Sequence, residues 1–292
     1  MAQFLLSAFA DEVSPNLENQ IQALKRNGIA YLEPRNIDGG ILTKTEEELY
    51  AIRAHLDEAG IGISSLGSPI GKYKITDDFA PHMEDFRKAI KACKILGTNR
   101  MRIFSFFVDQ EELSIHRDEV HKRMEALLDE AEKEGILLCH ENESKIYGQN
   151  PDEVADILSN HPRLKGIFDA ANFVRDGQDP IKGIDVTLPS LEYIHVKDAS
   201  YPDRKMWPVG LGQGQYEEVL KKADAAYNGT IFLTLEPHLY VFDAYKSIDH
   251  HKLKVGVLYD SPDDAFDGAA THLKNLLTKL GYHEEENKLW KK

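Results

Sequence analysis

The stretch "KEGILLCHE", residues 133–141, decides the fold. It runs from a charged helix end through Gly135 into four apolar residues, then stops at His140 and Glu141. Glycine adopts the left-handed backbone just past a helix that a β-carbon resists, so it is a common helix stop. A short apolar run behind such a stop reads as a buried strand. The same order recurs in "RNGIAYLEP" (26–34), "EAGIGISSL" (58–66) and "ILGTNRMRIF" (95–104). Upstream of these junctions the apolar residues fall at helical spacing: Met83, Phe86, Ile90 and Cys93, then Val120, Met124, Leu127, Leu128 and Ala131. "TEEE" (45–48) is a capping box, Asn150 before Pro151 a cap, and Ser14 before Pro15 an N-cap with proline at the first helical position.

Extended along the chain, this grammar predicts strands near 4–9, 31–34, 61–66, 100–106, 136–141, 164–169, 191–197 and 230–236. Strands alternating with helices imply a parallel sheet with right-handed crossovers. Eight such units point to an α/β fold of the closed (β/α)8 TIM-barrel type, and a barrel of this kind uses about 250 residues as one domain. No GxGxxG follows the first strand and no GxxxxGK[ST] occurs, which argues against an open nucleotide-binding sheet. The expectation is one domain over 1–292, with an elaborated loop at about 240–262 after the eighth strand. Within that loop "KLKVGVLYD" reads as a ninth strand or an ordered excursion, and the last helix falls near 263–280.

The chain is 42% hydrophobic and 29% charged, with a formal net charge of -14. Such a charge repels phosphate backbones and anionic membranes, so neither nucleic acid nor a membrane is the expected partner. The apolar start "MAQFLLSAFADE" lacks a basic leader region and is too short to span a bilayer; it reads as the first strand. Cys93 and Cys139 sit inside apolar patterns without metal-ligand or redox spacing, and two buried thiols suit a reducing cytoplasm. The closing "KLWKK" reads as a solvated tail. A homo-oligomer is compatible with all of this.

In a parallel barrel the loops leaving the strand ends converge on one mouth. The second predicted strand ends in Glu33, the fifth in Glu141, the sixth in Asp169 ("GIFDAANF"), the seventh in His195 ("YIHVKDA") and the eighth in Glu236 ("FLTLEPH"). Singly, each has an ordinary reading: a hydrogen-bonded core histidine, or an acid capping a helix. Four on successive strands, at the same end, suggest one site. Carboxylates crowded there repel one another unless a cation neutralises them. One divalent metal on Glu141, Asp169, His195 and Glu236 answers this, and the donor set suits Mn²⁺, Mg²⁺, Co²⁺ or Zn²⁺. Glu143 reads as an exposed loop acid, and His140, of opposite parity to Glu141, as a packing residue.

"SAFADEVSPNLENQIQALKRNGIAYLEPR", "ENESKIYG", "FDAANFV", "IHVKDA" and "LTLEPH" resemble the xylose-isomerase-like barrel superfamily of sugar isomerases and epimerases. Tagatose-3-epimerase-like, hydroxypyruvate-isomerase-like and inosose-dehydratase-like enzymes belong there. The resemblance covers most of residues 3–280. It implies that Glu141, Asp169, His195 and Glu236 correspond to the metal ligands, with Glu141 and Glu236 also the acid/base pair. Two stretches depart from the pattern. Asn172 stands where epimerase-type members often carry a substrate-binding histidine, and "GQGQ", with Gln213 and Gln215, replaces "GEGD".

The chemistry expected is isomerisation or epimerisation of a keto sugar or sugar-like compound. The metal polarises the carbonyl and stabilises an enediolate while the Glu141/Glu236 pair moves the proton. A lyase or dehydratase acting on a keto-polyol or keto-glycoside is the alternative use of the same site. Lys197 shares the parity of His195, and contact with a substrate oxygen and a structural salt bridge are equally open. Glu33 joins the substrate-binding set by its strand-end position, Asn142, Trp207 and His238 join it as loop residues of the pocket wall, and Asn172 as the position that the resemblance implies for a substrate-binding group. Arg35 and Arg102 are open between a phosphate and an ion pair. The rivals are a Schiff-base aldolase on Lys197, an endonuclease of abasic sites, and a carbohydrate-binding barrel without turnover.

Overall fold

In the computed structural model, which describes residues 1–241 and 253–292, the eight expected strands form a parallel sheet curled into a barrel. They are β1 (Ala2–Ala8), β2 (Tyr31–Leu32), β3 (Gly62–Ile63), β4 (Arg100–Ile103), β5 (Leu137–Glu141), β6 (Lys165–Asp169) and β7 (Leu191–Val196). A short hairpin of β8 (Asp198–Ala199) and β9 (Met206–Trp207) precedes the last barrel strand, β10 (Gly229–Leu235). The hydrogen-bonded order is β4-β5-β6-β7-β10-β1-β2-β3. The ring closes beyond β3, where the Leu66 N–H donates to Arg100 O at 2.9 Å and Leu66 O accepts from the Arg102 N–H at 3.0 Å. The third strand is therefore shorter than expected: its chain leaves β2 after Ser64 to reach β4.

Helix signals translate into structure with one shift. The Thr45–Glu48 capping box starts Glu46–Ala59, and Asn150 caps Pro151–Asn160, where Glu153 completes a second box. Gly60 and Gly97 end their helices at φ 73° and 78°. The first helix, Leu17–Arg26, is capped by Asn16 instead of Ser14. The Ser14 hydroxyl serves the preceding turn, accepting from the Asn16 N–H at 3.2 Å. The weakly signalled stretches after β6 and β7 hold Ala170–Arg175, Pro180–Thr187 and Tyr216–Ala226.

Two tail readings change. "KLWKK" is not a solvated tail: Leu289–Lys291 pairs antiparallel with β1, Phe4 opposite Trp290, and Trp290 is buried. Period-two alternation sends the indole inward, where it removes apolar surface from water. The loop expected at about 240–262 lies partly outside the described residues. Its described part is an ordered excursion: the Met206 N–H donates to Lys254 O, and the Gly256 N–H to Met206 O, each at 2.8 Å. The final helix follows at Pro262–Lys279. Cys93 and Cys139 are free and buried, and among the described residues no helix is long and apolar enough to cross a membrane.

Candidate metal centre

Register builds the site. In the parallel ladder between β6 and β7, Asp169 lies opposite His195. Across β7 and β10, His195 lies opposite Thr234, and the Glu236 N–H donates to Val196 O at 3.1 Å. Glu141 closes β5. Ligand atoms of Glu141, Asp169, His195 and Glu236 consequently all lie within 4.8 Å of one another, with every side chain buried. Four residues spread over ninety-five positions of sequence converge because each stands at or beside the C-terminal end of a strand of one ring.

The surroundings are as acidic as the strand ends predict. Asp11, Glu12, Glu33, Glu141, Asp169 and Glu236 are all buried here. Among the described residues, three cationic side chains reach them. Arg102 Nη1 lies 3.2 Å from Glu141 Oε2. Arg35 Nη1 donates to Glu236 Oε1 at 2.7 Å while Nε and Nη2 grip both oxygens of Asp11 at 3.0 Å. Lys197 Nζ sits 3.0 Å from Asp169 Oδ2 and 3.2 Å from Glu236 Oε2. Six carboxylates against three cations leave a formal deficit of three positive charges in a buried space, which is costly unless a cation or protons make it up.

Protonation tendencies record this strain. Burial, with Glu141 and Glu236 adding repulsion that Lys197 only partly offsets, pushes Asp169 up to about 7. Burial would lower the His195 imidazole, but the carboxylates of Glu141 and Glu33 outweigh it and lift it to about 10. Burial raises Glu12 well above the usual carboxylate range, Arg35 notwithstanding. Against the same burial, Lys197, His238 and Arg35 hold Glu236 well below that range. With protein groups alone, His195 supplies a positive charge that a bound ion would replace.

The donor set fits a divalent ion. His195 Nε2 lies 3.3 Å from Glu33 Oε2, and Glu33 Oε1 accepts from the Tyr193 hydroxyl at 2.9 Å. A carboxylate behind one ring nitrogen fixes the N–H there and leaves the other nitrogen as the ligand. That other nitrogen, Nδ1, is buried, makes no aligned hydrogen bond, and faces Glu141 Oε1 at 3.1 Å and Glu236 Oε2 at 3.6 Å. Asp169 Oδ2 is likewise buried without an aligned hydrogen bond, while Oδ1 accepts from the Asn172 N–H at 3.0 Å. Phe9 packs edge-on to His195, with ring centroids 5.1 Å apart, and lies under the Arg35 and Arg102 guanidinium groups.

The remaining expected residues separate by position. Asn142 and Asn172 stitch the acids together: Asn142 pairs with the Asp169 backbone at 2.9 Å through both of its amide atoms. Asn172 Nδ2 reaches Glu141 Oε1 at 3.3 Å and Asn142 O at 2.9 Å. Lys197 points inward, as its parity predicts. Glu33, expected against substrate, is fully buried behind His195. Trp207 is held on the β8–β9 hairpin, its indole N–H on Ser200 Oγ at 2.9 Å and its ring against Gly256, where a β-carbon would come within 2.3 Å. His238 is buried beside Glu236, Nε2 to Oε1 being 3.4 Å. His140 turns away to Ser105 Oγ at 2.8 Å. Glu143 is not an exposed loop acid: it is half-buried, bonded to Lys72 Nζ at 2.9 Å, and Lys72 and Lys197 hold it down at about 2 against the upward push of burial.

Phe9, Asp11, Glu12 and Tyr193 also belong to the site without being expected there. Phe9 closes the first predicted strand and Asp11 and Glu12 follow it in "FADE", so the strand-end rule applied to β2, β5, β6, β7 and β10 would have included them. Tyr193 carries only a parity signal, two residues before His195. Arg35 and Arg102, left open between phosphate and ion pair, are in ion pairs.

A family model described as xylose isomerase-like TIM barrel matches residues 21–252. Among solved structures, the probable 3-DHS dehydratase AsbF of Bacillus anthracis, involved in petrobactin synthesis, aligns with a TM-score of 0.71 at 15% identity, over 94% of this chain and 99% of its own. D-allulose 3-epimerase from a Methylomonas species gives 0.70 at 19% identity, over 94% of this chain and 100% of that one. A xylose isomerase-like TIM barrel protein of Mycobacterium smegmatis, in complex with magnesium, gives 0.67 at 15% identity, over 95% and 97%. At these identities the likeness is one of fold. No curated protein is significantly similar in sequence.

Proposed function

The chain belongs to the xylose isomerase-like TIM barrel family, and from that premise we propose a divalent-metal-dependent isomerase or epimerase of a keto sugar or related polyol. The observation that carries the reading is the buried set Glu141, Asp169, His195 and Glu236, whose ligand atoms lie within 4.8 Å of one another. The fold neighbours include an epimerase, a dehydratase and a magnesium complex, which is consistent with it. A divalent ion on these four residues would polarise the carbonyl of a hydroxy-carbonyl substrate and acidify the adjacent C–H. Glu141 and Glu236 stand on β5 and just past β10, so they approach the cluster from different strands. One carboxylate takes the proton from carbon and the other returns one, to the same carbon for epimerisation or to its neighbour for isomerisation. Arg102 and Arg35 keep these two carboxylates ionised and oriented between turnovers.

Lys197 supports a second reading, elimination. An ammonium buried between Asp169 and Glu236 can protonate a departing β-hydroxyl, so that water leaves as the C–H proton goes to a glutamate. The same two ion pairs argue against a Schiff-base aldolase, which needs a neutral amine. The test is metal analysis joined to solvent-deuterium exchange over a panel of ketoses and keto-polyols. Glu236→Gln should lower exchange by about 10²–10⁴-fold. Exchange at the parent rate, or full exchange in metal-stripped protein, overturns the reading.

A further inference from the structure

Glu236 faces two ways. Its Oε2 looks toward His195 Nδ1 and Lys197 Nζ, at 3.6 and 3.2 Å. Its Oε1 looks toward Arg35, past β2, with Nη1 at 2.7 Å, and toward His238, past β10, with Nε2 at 3.4 Å. On this second side Glu12, Glu236 and His238 again bring one ligand atom each within 4.8 Å of the others. They are 4%, 3% and 4% exposed.

An independent feature marks the place as more than a group of acids. Glu12 Oε2 accepts the His238 backbone N–H at 2.7 Å, whereas Glu12 Oε1 is buried and accepts no hydrogen bond. Around Oε1 lie His238 Nε2 at 3.5 Å and Arg35 Nη2 at 3.8 Å, ion-pair contacts without an aligned hydrogen bond. His238 adopts φ 49°, a left-handed backbone that is uncommon for a residue with a β-carbon. Held so by Glu12, its imidazole stands beside both carboxylates.

We propose that Glu12, Glu236 and His238 form a second divalent-cation site beside the first, with Glu236 bridging the two ions. Two carboxylate oxygens and an imidazole suit Mn²⁺, Co²⁺ or Zn²⁺ better than Ca²⁺. Arg35 is the competitor for Glu236 Oε1, and its two bonds to Asp11 give it a separate anchor. The inference rests on the metal reading of the four-residue cluster, because the shared ligand belongs to both.

The experiment titrates metal-free protein with Mn²⁺, counts bound ions by equilibrium dialysis and mass spectrometry, and records electron paramagnetic resonance at each equivalent. The parent protein should bind two equivalents. At the second, the two spins should couple, since bridged ions stand about 4 Å apart. Glu12→Gln, a neutral substitution of the same shape, should weaken the second equivalent by about tenfold or more and spare the first. Asp169→Asn should weaken the first. One equivalent in the parent, lost in Asp169→Asn and untouched by Glu12→Gln, removes the second site and keeps the first. No bound metal removes both. Two equivalents that give uncoupled spectra, or that survive Glu12→Gln unchanged, place the second ion elsewhere and overturn the proposal. The parent spectrum decides even if a variant fails to fold.

Discussion

Replacing Asp198 by Asn should destabilise the fold through the loop between β8 and the helix Tyr216–Ala226. The Asp198 carboxylate is fully buried and accepts four backbone N–H groups: Ala199 and Gly214 on Oδ1 at 2.8 Å, Gly210 and Gly212 on Oδ2 at 2.9 and 3.0 Å. Asparagine keeps one acceptor oxygen and turns a donor toward the other pair of amides. Each buried N–H left without an acceptor costs about 1–3 kcal/mol, which sets a gross loss of about 2–6 kcal/mol. Two effects reduce it. Gly210 and Gly212 are partly accessible to water, and the charge that is removed was itself desolvated, which raises the Asp198 carboxyl above its ordinary value despite the four amides. A net loss of about 2 kcal/mol remains, and Asp198→Ala, which strands all four amides, should lose about twice that. Urea unfolding followed by circular dichroism, with linear extrapolation to water, measures both. A loss below about 0.5 kcal/mol for Asn, or equal losses for Asn and Ala, refutes the account of the carboxylate as anchor of the loop.

Glu33→Gln should weaken binding of the first Mn²⁺ by about tenfold, the lower part of the usual range for a group behind a metal-ligating histidine, because the contact to His195 is long at 3.3 Å; calorimetric titration showing an unchanged affinity would count against the orienting role. Trp290→Ala should cost about 3–5 kcal/mol in urea unfolding, since the indole is buried where the C-terminal strand pairs with β1; a change near zero would return the C-terminus to the status of a tail. His82 accepts the Gly71 N–H on Nε2 at 3.0 Å, and burial, aided by Arg123, lowers it to about 4. Its unfolded value is near 6.5, so the unfolded chain takes up a proton that the native state refuses. Stability should therefore fall as pH drops from about 6.5 toward 4, by up to about 3 kcal/mol. His82→Gln, which keeps an acceptor, should flatten that slope, and an equally steep slope in the variant would assign it to other groups.

Local signals carried most of the architecture. Gly60 and Gly97 ended their helices and the box at Thr45 began one, because each feature is settled within a single turn of chain. Strand parity separated His140, which turns to Ser105, from Glu141, which enters the cluster. Judgements about exposure transferred less well. Glu143 looked solvated, yet it is half-buried against Lys72, seventy-one positions away, a pairing that nothing near either residue announces. "KLWKK" looked polar by composition, and only the free side of β1 explains why its tryptophan is inside.

By itself the sequence determined the order of strands and helices, the closed parallel barrel, and the placement of Glu33, Glu141, Asp169, His195 and Glu236 at strand ends. These follow from periodicity and chain direction, which every residue shares with its immediate neighbours. The tertiary structure alone decided what opposes those charges: Arg35 on Glu236 across 201 positions, Glu33 behind His195 across 162, and Lys197 between Asp169 and Glu236. It also decided that Glu12 and His238 share a carboxylate with the candidate metal centre. Electrostatic partners are fixed by distance in a low-dielectric interior, and separation along the chain does not encode that distance.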